Sequence, residues 1–458
     1  MPRAGWLAVG AVLAALVAPE VGVRTVGGLL AAAGALLVVA VGAVGPGRVT
    51  GTQRSAAATL VGASLIVARL LVAPPAPVPD STTLPTGSGP WTAVVEAAGS
   101  PKAGQQLVTL RLVDTGDIPI RVAATLSRYP AVEPGLRIVV EGAVQPRPDS
   151  PYGSYLERIG VAGTIRSRTL SLDPSGAPED PIHLLESLRR WADRALARAL
   201  PEPEAGLGSG ILIGLRERVD RDLAADFTTA GVSHVVAISG WNIAIVAAAI
   251  GAMAGRLGRR RRSVLTLIAI VAYVAFSGGS PSVVRAAAMA GVVLLARESG
   301  RAGRAASALG WAATLLLLGD PGLIRDAGFQ LSSLATGGLI VWASPLTERI
   351  ERLGRGRIPR WLAEGMGVSL AAQAATLPVV LASFGRLALV APAVNLFVVP
   401  VVPPAMAAGL IAFVGGALAL AGAPAVVTGI LALPGWIARG HGRHGQGGRP
   451  SALCERDA

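Results

Sequence analysis

From Ser233 to Met253 the chain runs for 21 residues without one Asp, Glu, Lys or Arg. About 20 predominantly apolar residues in a helix span the hydrocarbon core of a bilayer, where an unpaired backbone amide finds no water to bond. The stretch is one of a series. Further apolar segments lie at 5–18, 26–44, 56–72, 264–280, 281–297, 305–319, 329–345, 364–384, 388–414 and 417–437. Charged residues make up 15% of the chain, too few for a water-facing exterior, where about a quarter is usual. The fold class expected is therefore a polytopic α-helical membrane protein with about eleven crossings.

One region breaks the pattern. Residues 74–90 are rich in Pro, Ser, Thr and Gly and read as a linker. Beyond them come five runs with an apolar period of two: Trp91–Glu96, Gln106–Val113, Ile118–Leu126, Leu136–Val144 and Gly163–Leu172. That alternation, rich in Val, Ile, Leu and Thr, is the mark of half-buried strands. Asp114–Asp117 and Glu133-Pro134-Gly135 supply turns. Five strands in so short a span fit an inserted all-β domain of OB-fold type, with another small sandwich as the alternative.

The segment His183–Leu200 sets Leu184, Leu185, Leu188, Trp191 and Leu196 among Arg189, Arg190, Asp193, Arg194 and Arg198, an amphipathic pattern suited to a membrane interface or to the soluble domain. Loop charges then orient the chain. Arg256 with Arg259–Arg262, Arg297 with Arg301 and Arg304, and the group from Arg349 to Arg360 fall on alternate loops. The positive-inside rule puts these loops and the N-terminus in the cytoplasm and the β domain outside.

The formal net charge of +13 is explained by such arginines as readily as by a polyanionic partner. A single cysteine, Cys454, excludes an intramolecular disulfide, and the four histidines form no carboxylate-bearing cluster. No metal or other cofactor is expected, nor is a P-loop or G-x-S-x-G elbow present. Polar groups nevertheless interrupt the second apolar block. Ser277–Ser282 reads as a helix break or a tight turn, and Arg285 follows it within an apolar helix, a costly placement that calls for a partner or a wet path. Ser239, Asn242, Gln330, Gln373 and Asn395 are likewise embedded, each either interhelical glue or path lining.

The string AGVSHVVAISGWNIAIVAAAI at 230–250 resembles the hallmark segment of the ComEC-type competence protein family. GILIGLRE precedes it, and GGSPSVVRAA at 278–287, DAGFQLSSLATGGLI at 326–340 and the Pro-rich run at 371–404 follow in the family's order. SPYGSYLERIGVAGTI at 150–165 resembles the junction that ends the family's β domain. The resemblance implies a channel that passes single-stranded DNA across the cytoplasmic (inner) membrane during natural transformation. It implies a DNA receptor outside, a separate ATPase inside and a possible homo-oligomer.

On that implication Ser239, Gly240, Asn242, Ser282, Arg285, Gln330 and Gln373 lie near the DNA path. Trp91, Tyr152 and Tyr155 are the candidate contacts of a β domain that carries nine basic and seven acidic residues from Ser88 to Leu172. Trp241-Asn242 stands where many members have Leu-His. Many members also continue into a metallo-β-lactamase-like domain with an HxHxDH-type motif. The Gly/Arg/His-rich tail at 439–458 carries no such motif, so no enzymatic activity is expected and a truncated or frameshifted end is one reading. The domain division expected is 1–73 transmembrane helices, 74–90 linker, 91–172 β domain, 182–228 amphipathic and short helices, 229–438 channel domain and 439–458 tail. The alternative functions are a small-solute transporter or membrane enzyme on the same bundle, or a non-functional family member.

Overall fold

The structure, a computed structural model, describes residues 3–44, 50–74, 84–98, 105–113, 120–127, 132, 134–167, 169–172, 181–235, 240–279, 281–298, 305–355, 357–385, 388 and 390–422. Ser239, the Asp114–Asp117 turn, most of the 74–90 linker and the tail from 439 lie outside the described residues. What is described is mostly helical, with a separate curled sheet.

Three helices come first: α1 (Arg3–Val21), α2 (Val23–Val44) and α3 (Gly51–Val72). Thr50 caps α3, its hydroxyl accepting from Gln53 N while the Gln53 side chain accepts from Thr50 N. The crossing of α1 and α3 is made by glycine. A Cβ added at Gly10 would lie 1.8 Å from the Thr59 carbonyl oxygen, and one at Gly62 would lie 2.0 Å from that of Leu7. Backbones touch there because nothing stands between them, the usual means of close helix approach in a membrane. Ala11, Ala14, Ala63, Ile66 and Val67 form the buried seam, which extends to Leu317, Ile324 and Phe329 of the later helical block.

The sheet domain comprises β1 (Trp91–Ala98), β2 (Gln105–Leu112), β3 (Ile120–Ser127), β4 (Arg137–Glu141), β5 (Val144–Pro146), β6 (Gly163–Arg166) and β7 (Thr169–Leu172). Their order is β5-β6-β3-β2-β1-β4-β7, with β3 and β6 parallel and all other pairs antiparallel. Two of the five expected runs are thus each divided in two. The reason is local. Segment 137–146 runs antiparallel to segment 163–172 throughout, but Ile138 pairs with Leu172 while Val144 pairs with Ile165, a slip of one residue. Gly142 sits at the slip, where a Cβ would lie 2.5 Å from the Arg166 carbonyl oxygen. The sheet therefore curls upon itself around Ala93, Leu110, Val122, Ile138, Val140 and Ile165, all buried. Buried Gln106 is satisfied, donating to the Ser127 carbonyl at 2.7 Å and accepting from Val132 N. Between β5 and β6 the chain forms α4 (Pro151–Arg158), capped by Ser150, where no helix was expected.

The later block begins with α5 (Pro181–Ala199) and α6 (Glu204–Gly208), followed by a π-turn at Ser209–Ile213 and α7 (Arg221–Thr229). Then come α8 (Gly240–Met253), α9 (Arg259–Phe276), α10 (Pro281–Glu298), α11 (Ala305–Gly319), α12 (Ala327–Leu353), α13 (Arg360–Phe384) and α14 (Ala391–Leu420). Amphipathic α5 packs on α14. Trp191 meets Phe413 edge-on with centroids 5.8 Å apart, and a Cβ at Gly416 would lie 1.8 Å from the Ala195 carbonyl oxygen. The expected break between 414 and 417 is absent for the same reason: Gly416 is a contact, not a terminus, and α14 continues through it to Leu420. Of Ser277–Ser282, the described Ser277–Gly279 turn away from the end of α9, with Gly278 and Gly279 at φ +79° and +59°, where a side chain would be strained, and Pro281 and Ser282 open α10.

Among the described residues α1, α3, α13 and α14 are long and apolar enough to cross a membrane, and α10, α11 and parts of α2 and α8 are shorter apolar helices.

Candidate functional site

α8, α9, α10, α12 and α13 surround a cavity of about 2310 Å³. The room comes from α8, which turns Gly240, Ala244, Ala247, Ala248 and Gly251 toward it, a stripe at helical spacing with no side chain larger than a methyl. On α9, Arg259, Arg262, Thr266 and Ile270 line it, again one face. On α10 the lining runs from Ser282 and Arg285 to Leu294, about 18 Å along the helix axis at ~1.5 Å per residue.

Because α9 ends at Phe276 and α10 starts at Pro281, Arg259 and Arg262 stand at the opposite end of this helix pair from Ser282 and Arg285. Positive charge thus sits at both ends of the cavity. The walls between combine hydroxyls and alanine methyls with larger apolar side chains, among them Ile270, Met289, Leu331 and Leu377. Thr266, Thr336 and Thr376 donate to the carbonyls of Arg262, Ser332 and Ala372 at 2.9 Å in each case. Their protons are committed to their own helices, so these hydroxyls offer acceptor lone pairs and few donors.

Arg285 is 7% exposed. Its Nη1 lies 3.5 Å from Asp326 Oδ1, and its Nε is buried without a hydrogen-bond partner among the described residues. Asp326 Oδ1 also accepts from Phe329 N at 2.7 Å, which makes the carboxylate the N-cap of α12. A Cβ at Gly328 would lie 3.1 Å from Arg285 Nη2, so the guanidinium rests on the first turn of α12. Arg216 joins this end, its Nη2 donating to Ser282 Oγ at 3.3 Å.

Of the path residues named from sequence, the cavity gathers Gly240, Ser282, Arg285 and Gln373, the last donating to the Ala388 carbonyl at 3.2 Å. Two others are engaged elsewhere. Asn242 is 1% exposed and donates to the Ile211 carbonyl at 2.6 Å, while the Tyr273 hydroxyl donates to Leu212 O at 3.0 Å. Both serve the π-turn, whose irregular ladder exposes carbonyls that an apolar neighbour could not satisfy. Gln330 donates to the Ile324 carbonyl at 2.7 Å, bracing the 3₁₀ turn before α12.

Sequence reasoning did not assign Arg216, Arg259, Arg262, Asp326 and Ser369 to this lining, and it offered Asn395, which is part of it, as either glue or lining. The spacing of Arg259, Arg262, Thr266 and Ile270 carried the signal for α9, since those positions share one helix face. Arg216 carried none, because it arrives from a 3₁₀ turn 66 residues before the serine it contacts.

In the sheet domain Trp91 packs against the core and its indole N–H donates to the Gly142 carbonyl at 2.8 Å. Tyr152 and Tyr155, on α4, are exposed, with ring centroids 6.3 Å apart and planes 25° from parallel. Partial burial, and then the neighbouring Tyr155, hold the Tyr152 phenol above its ordinary value of 10.0.

Comparison with known proteins bears on the segment that builds the cavity. ComE operon protein 3 of Bacillus subtilis (strain 168) is 28% identical over 277 residues, which cover 59% of this chain and 34% of that protein. The chain thus spans about a third of the length of that relative. No solved structure matches it. The Competence protein family profile matches residues 211–453, more than half of the chain and the stretch containing every helix that lines the cavity. The chain belongs to the Competence protein family.

Proposed function

We propose that the cavity is the path by which an unpaired DNA strand crosses the cytoplasmic membrane during natural transformation. The observation that carries this reading is the distribution of charge: arginines at each end of a roomy cavity whose walls are otherwise uncharged hydroxyl and apolar groups, within the family's own segment. Arginine attracts the phosphate backbone irrespective of sequence, and a wall with few donors between the two ends does not hold what has entered. Spread over ~18 Å of helix, 2310 Å³ corresponds to a mean width of about 13 Å. That suits a single strand; a duplex, whose major groove alone is about 12 Å across, is wider.

In this reading the chain makes about eleven crossings, with its N-terminus and arginine-rich loops inside and the sheet domain outside. The order of strands, with β3 parallel to β6 and the 137–146 and 163–172 segments closing the curl, supports an OB-like barrel. Tyr152 and Tyr155 provide stacking faces for bases there. Trp91 packs against the core of that domain, its indole N–H donating to the Gly142 carbonyl. The chain conducts the strand and breaks no bond itself; a receptor outside delivers the DNA and a separate ATPase inside draws it through.

The test is transformation. Deleting the gene in a competent host abolishes recovery of supplied marker DNA, and restoring this chain returns it. Unchanged transformation in the deletion refutes the proposal.

A further inference from the structure

We propose that Arg285 and the first turn of α12 form a phosphodiester subsite for which Asp326 is the resident competitor. The inference deepens the strand-path reading and rests on it.

Arg285 is an arginine whose environment leaves its chemistry unfinished. The side chain is nine-tenths buried, yet its one ion-pair contact is a single end-on approach at 3.5 Å, and Nε has no partner among the described residues. A guanidinium is built to present two parallel N–H groups to a carboxylate or phosphate. Asp326 approaches that fork with Oδ1, the oxygen that also accepts from Phe329 N as the α12 cap, at the long distance of 3.5 Å.

The site around this unfinished pair is suited to an anion. α12 is 27 residues long, and its amino-terminal turn meets Arg285 at Gly328, where the missing side chain brings the guanidinium close to the backbone. Arg216 stands beside it on the Ser282 hydroxyl, one turn of α10 away from Arg285. Both arginines line the cavity. The two partners differ in exposure: the Arg285 side chain is 9% exposed and that of Asp326 43%. The cation is fixed and the anion faces open space, so a phosphate arriving through the cavity meets the carboxylate first. It binds Arg285 against the repulsion of Asp326, weakly enough to leave again. A strand that must pass needs sites of this kind, where entry is favoured and residence is short. Asp326 sets that balance: without it the same guanidinium would hold a phosphate longer.

The experiment uses the full chain in nanodiscs of zwitterionic phosphatidylcholine and a fluorescent single-stranded oligonucleotide, with affinity followed against salt. Asp326→Asn keeps an oxygen to cap α12 and removes the charge. It is expected to tighten binding at least about fivefold, the lower range of coupling between interacting sites. Arg285→Gln is expected to weaken binding and to reduce the slope of log affinity against log salt by about 0.7, the loss of one phosphate contact on a single strand. In the double variant the Asp326→Asn gain disappears, because it acts through Arg285. Thermal unfolding of each variant reports that the fold is retained.

If wild type binds the oligonucleotide and Asp326→Asn binds no more tightly, the subsite is refuted while the strand path stands. A gain that survives in the double variant also refutes it. Binding by neither protein refutes both readings. Repeating the series with phosphatidylglycerol in the disc separates the sources of the phosphodiester: oligonucleotide binding that is lost to the lipid in an Asp326-dependent manner assigns the subsite to a headgroup and overturns the strand.

Discussion

Adding one methyl group to Gly62 should separate α1 from α3. The Cβ of Gly62→Ala would lie 2.0 Å from the Leu7 carbonyl oxygen, whereas ordinary contact begins at 3.4 Å, so the two helices must part by about 1.4 Å. Neither obstacle is a flexible side chain that could turn aside. A gap of ~0.5–1 Å already forfeits a quarter to a half of the dispersion attraction between facing atoms, and the seam from Ala11 to Val67 is exposed to that loss along its length. Overpacking costs about 1–3 kcal/mol, and a rigid backbone-to-backbone clash belongs at the upper end, about 2–3 kcal/mol. Gly10→Ala meets Thr59 O at 1.8 Å and should cost a similar amount. The same parting of the helices relieves both clashes. The double variant should therefore cost little more than the worse single one, at least about 1 kcal/mol less than the sum, where independent sites add to within ~0.5 kcal/mol. Denaturant or thermal unfolding of the full chain in mild detergent measures the cycle. Additivity, or an unperturbed Gly62→Ala, would refute the rigid crossing.

Ala248 faces the cavity from α8 and is exposed there; Ala248→Trp should reduce DNA uptake by about tenfold or more, one decade being ~1.4 kcal/mol, while the protein still reaches the membrane, and normal uptake would exclude the cavity as the path. Asn242→Ala should destabilise the chain by about 1 kcal/mol, because the part-buried Ile211 carbonyl loses its donor; an unchanged melting temperature would show that the π-turn does not need it. The phenol of Tyr152 titrates above 10.0 in the folded chain. The raised value means that its neutral form contributes stability fully below pH 10 and that this is lost as pH rises past the folded value. Ultraviolet titration of wild type against Tyr152→Phe should show a difference midpoint above 10, and one below it would contradict the packing of α4.

The helical segments were legible because apolar length is a local property, and the strands because a period of two is as well. What was not legible depends on contacts between distant segments. Nothing in Leu136–Val144 announces that the run changes register at Gly142; the slip exists because Arg166 arrives opposite it. Similarly, Asn242 and Ser282 look alike as polar residues in apolar context. One is absorbed by a π-turn 31 residues earlier and the other lines the cavity. A lone polar residue in a membrane helix can satisfy a backbone or face a wet interior, and only the neighbouring helix decides which. Arg285 was singled out by the cost of placing it there, an argument that needs no neighbour. Its partner Asp326 carried no such signal, because only the packing of α12 beside α10 brings the two together.

The slip at Gly142 has a consequence for the edges of the sheet. By carrying one long ladder around the curl, the sheet domain leaves its free edges to β5 and β7, of three and four residues. Long unpaired strand edges recruit one another, and a population of such domains held at one surface would be prone to sheet-to-sheet polymerisation. Edges this short give a foreign strand almost no template. Whatever engages this domain must therefore do so through its side chains and loops, and copies of it can stand side by side without knitting together.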